Sequence, residues 1–190
     1  LAKAVTFTFT TPTAQVGTFY PAMDGMPRTA PMFAEFNQRI DPAAVLKTIT
    51  VKAGGKTYPV TLISEAAASD EPRLTDYLRY AQAGRWLAFR ATEPLPADTQ
   101  IEVTFGPGVP SAEGPLLSEK AQSFSFRTYG PLKLDRSECG WGGECQPFMP
   151  WQFIFSNMLD RSTVTTETVK IEPALPSMTI DVYGNTVQIR

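Results

Sequence analysis

The sequence has no histidine and only two cysteines among its 190 residues. Histidine is the usual general base near neutral pH, the partner of a catalytic serine or cysteine, and a common zinc ligand. Its absence excludes the standard triads and most zinc sites, leaving carboxylate, lysine or tyrosine chemistry for any enzyme. A block of like charge is also missing. The 17 basic and 19 acidic side chains give a net charge of −2, and nothing gathers lysine and arginine into the footprint that nucleic acid needs. No stretch approaches the roughly 18 consecutive apolar residues of a spanning helix, and no leader pattern opens the chain at Leu1. The expectation is a segment without a membrane span whose start is internal to a longer protein. A chain of this length forms one or two domains and can bury a core without a cofactor or metal.

What is present is alternation of period two. Val5, Phe7 and Phe9 alternate with threonines, the pattern returns at Ile49 and Val51, Ile101 to Phe105, and Phe124 and Phe126, and Trp86, Leu87 and Phe89 form a dense run. The alternation continues at Phe153 and Phe155, Val169 and Ile171, Ile180 and Val182, and Val187 and Ile189. Such short runs, rich in β-branched and aromatic residues, read as half-buried strands. Turn chemistry separates them at Gly54-Gly55, Pro94 to Asp98, Gly106-Pro107-Gly108, Gly114-Pro115 and Gly184-Asn185. Punctuation about every ten residues predicts an all-β antiparallel sandwich.

Residues 64–84 depart from that pattern. They are alanine-rich and charged, with Leu74, Leu78 and Ala81 at helical spacing, Pro72 placed for a first turn and Gly84 for a C-cap. A short helical insertion between two strands is expected, either a surface excursion or a partner-binding element.

The chain also repeats itself. Pro31–Val45 lies beside Pro150–Val164 at a constant offset of 119, which pairs Phe36 with Phe155, Ile40 with Leu159 and Asp41 with Asp160. A one-residue insertion then sets Ile49 and Val51 against Val169 and Ile171. Phe7-Thr8-Phe9-Thr10-Thr11 echoes Phe124-Ser125-Phe126-Arg127-Thr128 at an offset of 117. A period near 118 residues is a whole sandwich rather than a solenoid unit. Residues 1–11 are therefore expected to be the terminal strand of a preceding unit, 12–129 a complete sandwich, and 130–190 the first part of a second. That second unit should carry a sheet edge covered by another chain or by residues 1–11.

Phe19-Tyr20-Pro21 with Asp24-Gly25, Phe36-Asn37-Gln38, Ile40 to Val45, Trp86 to Phe89, Glu93 to Thr99 and the closing Phe124 to Thr128 resemble the bacterial Ig-like domains of surface-layer and other exported proteins. The chain is also similar to the tandem Ig-like modules in the N-terminal part of bacterial alpha-2-macroglobulin-like proteins. The resemblance implies tandem Ig-like β-sandwiches with a short helical insertion in the first. It further implies a non-enzymatic role without cofactor, with adjacent domains of the same protein as partners and proteases as partners through the full-length protein. The thioester and bait segments of a macroglobulin inhibitor are not among these residues.

Cys139-Gly140-Trp141-Gly142-Gly143-Glu144-Cys145 is the one compact constellation. Its glycines let the chain curl back, so a structural disulfide between Cys139 and Cys145 is expected, together with an oxidising compartment such as the periplasm or cell surface. Two thiols without histidine do not close a zinc site, and the spacing differs from that of a redox pair. Trp141 is either an exposed recognition aromatic or a packing residue, whereas Trp86 and Trp151 read as core. Asp41 and Asp160 are placed to accept backbone N–H groups from the following turn rather than to bind calcium. Asp70, Glu71 and Asp76 read as a solvated helix face. No catalytic residue and no metal site is assigned. The competing function is a surface adhesin or binding module for protein or carbohydrate, using residues 64–84 or the Cys139–Cys145 loop.

Overall fold

The computed structural model describes residues 6–7, 12–140, 145, 149–173 and 177–190. The chain divides into two compact units, Leu1–Thr128 and Tyr129–Arg190. The first contains β1 (Val16–Tyr20), β2 (Met32–Phe36), α1 (Pro42–Leu46), β3 (Ile49–Ala53), β4 (Lys56–Tyr58) and β5 (Val60–Ile63). It continues with α2 (Glu65–Ser69), α3 (Thr75–Tyr80), β6 (Trp86–Ala91), β7 (Gln100–Phe105) and β8 (Gln122–Arg127).

Two antiparallel sheets, ordered β1-β2-β6-β5 and β4-β3-β7-β8, pack as a sandwich. The alternation in β7 explains how: Ile101, Val103 and Phe105 are buried while Gln100 and Glu102 are exposed. Aromatic rings join the sheets. Phe105 meets Phe36 edge-on at 5.6 Å between ring centroids and Phe89 at 6.3 Å, and Phe19 stacks on Phe124 at 4.5 Å. Each fully buried side chain of this size stabilises the fold by about 1.5–3 kcal/mol. The first unit is an antiparallel β-sandwich, as the alternation predicts, and it is of the Ig-like kind that the resemblance implies.

The centre of the first sheet is buried on both faces. Tyr20, Phe33, Ala88 and Ile63 are opposite one another across β1, β2, β6 and β5, so they share the face turned away from the second sheet. The 64–84 insertion covers that face. The Tyr77 ring lies 5.2 Å from Tyr20 and 5.7 Å from Phe33, and Ala68 and Leu74 are fully buried.

The insertion forms two helices rather than one. Pro72 disfavours helix at the residue before it and stands in the turn between α2 and α3 instead of in a first turn. Ser64 caps α2 by accepting the Ala67 N–H at 3.3 Å. α3 ends at Ala81 in extended backbone, so Gly84 is not its cap, although it has φ +74° and its carbonyl accepts the Ile40 N–H.

The second unit contains β9 (Leu134–Cys139), β10 (Trp151–Phe155), β11 (Ile180–Tyr183) and β12 (Thr186–Ile189) in one antiparallel sheet, ordered β11-β12-β10-β9. This sheet reproduces the first sheet of the first unit strand for strand. Val16↔Phe36 and Thr18↔Glu35, with a register shift between them, recur as Leu134↔Phe155 and Arg136↔Ile154 with the same shift. Met32↔Phe89 and Ala34↔Leu87 recur as Trp151↔Ile189 and Phe153↔Val187. β11 stands beside β12 as β5 stands beside β6.

Two expectations for this unit are corrected. Val169 and Ile171 are not in a strand: the Val169 N–H reaches the Thr165 carbonyl at 2.9 Å, and the Thr168 hydroxyl takes the Thr165 N–H at 2.9 Å. Threonine hydroxyls close a local turn in competition with a sheet ladder, and no further strand flanks these residues among those described. Trp151 is 39% exposed rather than core, because its face of the sheet carries no second sheet among the described residues. The sheet edges are β9 and β11, and neither pairs further among the described residues. Of residues 1–11, expected as a strand and as cover, all but Thr6 and Phe7 lie outside the described set.

If the insertion is a structural layer, Leu74→Ala destabilises the chain by about 2–5 kcal/mol, the range for truncating a buried leucine. Urea unfolding followed by circular dichroism measures this, and a shift near zero would mean that the insertion is only loosely attached.

Candidate functional site

The polar side chains that are not simply solvated are committed to holding backbone. Asn37 and Gln38 follow β2 and latch the entering chain. The Gln15 N–H donates to Asn37 Oδ1 at 2.8 Å, the Asn37 N–H donates to the Gln15 carbonyl at 3.0 Å, and Asn37 Nδ2 donates to the Thr13 carbonyl at 3.2 Å. Gln38 Nε2 donates to the Pro12 carbonyl.

The same latch stands at the entry to the second unit. The Lys133 N–H donates to Ser156 Oγ at 3.0 Å, the Ser156 N–H to the Lys133 carbonyl at 2.9 Å, and Ser156 Oγ to the Pro131 carbonyl at 3.3 Å. Asn157 Nδ2 donates to the Gly130 carbonyl at 2.8 Å. In the sequence Asn37 and Gln38 stand out only as part of the Phe36-Asn37-Gln38 motif. The detectable signal was that two amide- or hydroxyl-bearing residues follow both β2 and β10.

The two repeat aspartates act as read from the sequence. Asp41 is the N-cap of α1 and accepts the N–H groups of Ala43 at 2.9 Å and Ala44 at 3.4 Å, with Pro42 beginning the helix. Asp160 accepts the Ser162 hydroxyl at 2.7 Å and the Ser162 N–H at 2.9 Å. These two hydrogen bonds, the hydroxyl first, hold the Asp160 carboxyl below its ordinary range.

A third device was not read from the sequence. The Gln122 side chain on β8 accepts the Val16 N–H at 2.9 Å and donates to the Val16 carbonyl at 3.3 Å, acting as a peptide group toward the free edge of β1. With the Phe19–Phe124 stack and the parallel bridge between Met26 and Thr128, it sets β1 and β8 side by side and parallel across the two sheets. Beyond β8, the Thr128 hydroxyl donates to the Pro96 carbonyl at 2.6 Å and takes the Thr99 N–H at 3.1 Å.

The remaining candidates have local roles. Cys139 and Cys145 are joined in a disulfide with Cα atoms 4.7 Å apart. The short loop this closes is worth about 2 kcal/mol. Trp141 and its neighbours 142–144 lie outside the described residues. Trp86 is half-buried against Phe33, with ring centroids 5.8 Å apart. In the insertion Asp70 ends α2, while Glu71 and Asp76 lie 3.6 Å from Arg73 and 3.5 Å from Arg79. These surface pairs contribute little stability. Among the described residues no three His, Cys, Asp or Glu side chains gather into a metal cluster, and no helix is long and apolar enough to cross a membrane.

Sandwich topology, inter-sheet aromatic packing and backbone latches define the first unit as an immunoglobulin-like structural domain. The family model described as the bacterial Ig-like domain matches residues 1–128, and the chain belongs to that family. A curated relative, the Circularly permutated Ras protein 2 of Dictyostelium discoideum, is 26% identical over 184 residues. That match takes in 92% of this chain but only 4% of the relative's length. Among solved structures, the N-terminal part of the bacterial S-layer protein SbsC is similar at a TM-score of 0.40 and 12% identity, covering 66% of this chain and 26% of that one. A longer fragment of the same S-layer protein is similar at a TM-score of 0.40 and 13% identity, covering 66% of this chain and 15% of that one.

Because the Asp160 carboxyl titrates below the unfolded value, its contribution to stability is present above the unfolded pKa and is lost as pH falls through the folded one. An NMR titration of the side-chain carboxyl carbon should place it below 3.8, and Ser162→Ala should return it toward 3.8. A midpoint unaffected by Ser162→Ala would show that the hydroxyl does not hold the carboxylate.

Proposed function

We propose that the chain is a non-enzymatic structural segment of a large extracytoplasmic protein, setting the distance and geometry between neighbouring domains. On this reading residues 1–11 end a preceding Ig-like unit, 12–129 form a complete one and 130–190 begin the next. The recurrence of the entry latch and of the sheet register in the second unit supports the tandem arrangement. The disulfide supports an oxidising compartment, periplasm or cell surface.

The observation that carries the spacer role is the parallel junction of β1 and β8. The chain enters the first unit just before β1 and leaves it just after β8. Tension between the two ends therefore pulls parallel neighbours past each other, loading the Gln122–Val16 hydrogen bonds and the Phe19–Phe124 stack together rather than peeling them one by one. Such a unit keeps its length under load.

The finer proposal is that the parent is an alpha-2-macroglobulin-like protease inhibitor of the bacterial envelope, in which these units hold the trapping region at a set distance from the rest. It rests on the motifs from Phe19 to Thr128. A protease-protection assay on the full-length protein, with and without residues 1–190, tests it. Insertion of the 64–84 helices into the packing of the first sheet favours this structural role over an adhesin built on that segment.

Gln122→Ala strands the Val16 N–H and carbonyl and should cost about 1–3 kcal/mol. In single-molecule pulling between residues 12 and 128, the variant should unfold at clearly lower force than Gln100→Ala, which alters an exposed glutamine on the neighbouring strand β7. Equal forces for the two variants would count against the spacer reading.

A further inference from the structure

In the first unit, Met32, Ala34 and Phe36 of β2 turn toward the second sheet and are buried. Their register equivalents in the second unit are Trp151, Phe153 and Phe155, and none of these is fully buried. Directly opposite residues share a face, so Val187 and Ile189 of β12 and Ile180 and Val182 of β11 lie on the same side. The reverse side carries Glu138, Gln152, Gln188 and Asp181. The reverse side also carries Arg136, Ile154, Thr186 and Tyr183, so one face is apolar and the other mixed.

Over the apolar face the segment Thr168–Glu172 forms one wall of a groove of about 460 Å3, whose floor is Trp151, Phe153 and Phe155, with Val187 and Ile189 already buried at its base. Val169 and Ile171 stand here where the repeat matches them to Ile49 and Val51 of β3. In the first unit β3 is a strand because β7 pairs with it from Ile49↔Phe105 to Ala53↔Ile101, and β8 pairs with β7. Phe105 then reaches Phe36, the equivalent of Phe155.

We propose that the apolar face of the second unit is an interaction surface for an antiparallel strand pair of the chemistry of β7 and β8. The partner alternates large apolar with polar residues, pairs along 168–172 as β7 pairs along β3, and sets an aromatic ring against Phe155. The occupant is identified by analogy with the inter-sheet interface of the first unit, where Phe36 and Phe89, the equivalents of Phe155 and Ile189, both meet Phe105 of β7. The proposal rests on the reading of 130–190 as the start of a second Ig-like unit.

The test uses the whole 190-residue chain, labelled for NMR, and an unlabelled synthetic peptide of residues 99–128, which carries the β7 and β8 sequences. In the free chain, cross-strand contacts such as Trp151–Ile189 and Phe155–Leu134 first report the sheet itself. Saturable shifts confined to residues 151–155, 168–172 and 187–189 are expected on adding peptide. Val169→Asp lies outside the strands, so the sheet contacts should survive while peptide affinity falls about tenfold or more. An intact sheet that ignores the peptide, or that binds it equally well with Val169→Asp, overturns the docking surface and leaves the repeat reading standing. Shifts that depend on chain concentration without peptide mean that a second copy covers the face, which also overturns it. Missing sheet contacts in the free chain overturn both the repeat reading and the surface.

Discussion

The first unit depends on one sheet whose central strand is buried on both faces. β2 is the centre of this constraint: Met32, Ala34 and Phe36 point toward the second sheet, Phe33 points the other way, and all four are buried. An antiparallel sheet usually keeps one face wet, and its strands then alternate apolar with polar. Here two independent covers are required. The second sheet supplies one through Phe105 and Phe124, and the α2–α3 layer supplies the other through Ala68, Leu74 and Tyr77. Removing either would expose several large side chains at once, so the helices are as much a part of the core as the strands are.

The second unit works as an internal control on that argument. Where β5 and β6 are separated by the 64–84 insertion, β11 and β12 are joined across Gly184-Asn185 alone. The positions that the insertion covers in the first unit are Tyr20, Phe33, Ala88 and Ile63, and their register equivalents are Glu138, Gln152, Gln188 and Asp181. Along this row, loss of the helical cover and a change from apolar to polar go together, while the next row on that face changes from Glu35 and Trp86 to Ile154 and Thr186. An element added only for recognition would not require the sheet beneath it to be apolar. The insertion packs on this apolar row, while Tyr80 of α3 stays exposed.

The strands with strict alternation were legible in the sequence because burial on one side writes a period of two. β3, β7, β8, β10, β11 and β12 fall where that pattern places them, whereas β6, buried on both sides at Leu87, Ala88 and Phe89, falls on a dense apolar run. β9 was not legible: its residues, Leu134 to Cys139, are nearly all exposed and strongly charged, and it is a strand through pairing with β10 rather than through its own composition. Val169 and Ile171 fail for the opposite reason, having strand composition but no ladder to join. The caps at Asp41 and Asp160 were readable because an aspartate acts on backbone two or three residues away. The Gln122 clamp was not, since its partner Val16 lies 106 residues away in sequence and nothing local marks the pairing.

The repeat acquires a physical meaning from these hydrogen bonds. A sequence echo at an offset near 118 could reflect only shared strand composition, which many β-proteins have. The entry latch is more demanding: Asn37 and Gln38 hold the backbone of residues 12–15, and Ser156 and Asn157 hold that of residues 130–133, with donors and acceptors in the same order. The side chains differ between the two copies while the bonds they make do not. What recurs is thus the task of fixing how the chain enters a sheet, with the same register shift following it on β1 and β9. In each unit the device fixes where the entering backbone lies against the strand that follows, and it does so through backbone geometry rather than through one conserved side-chain type.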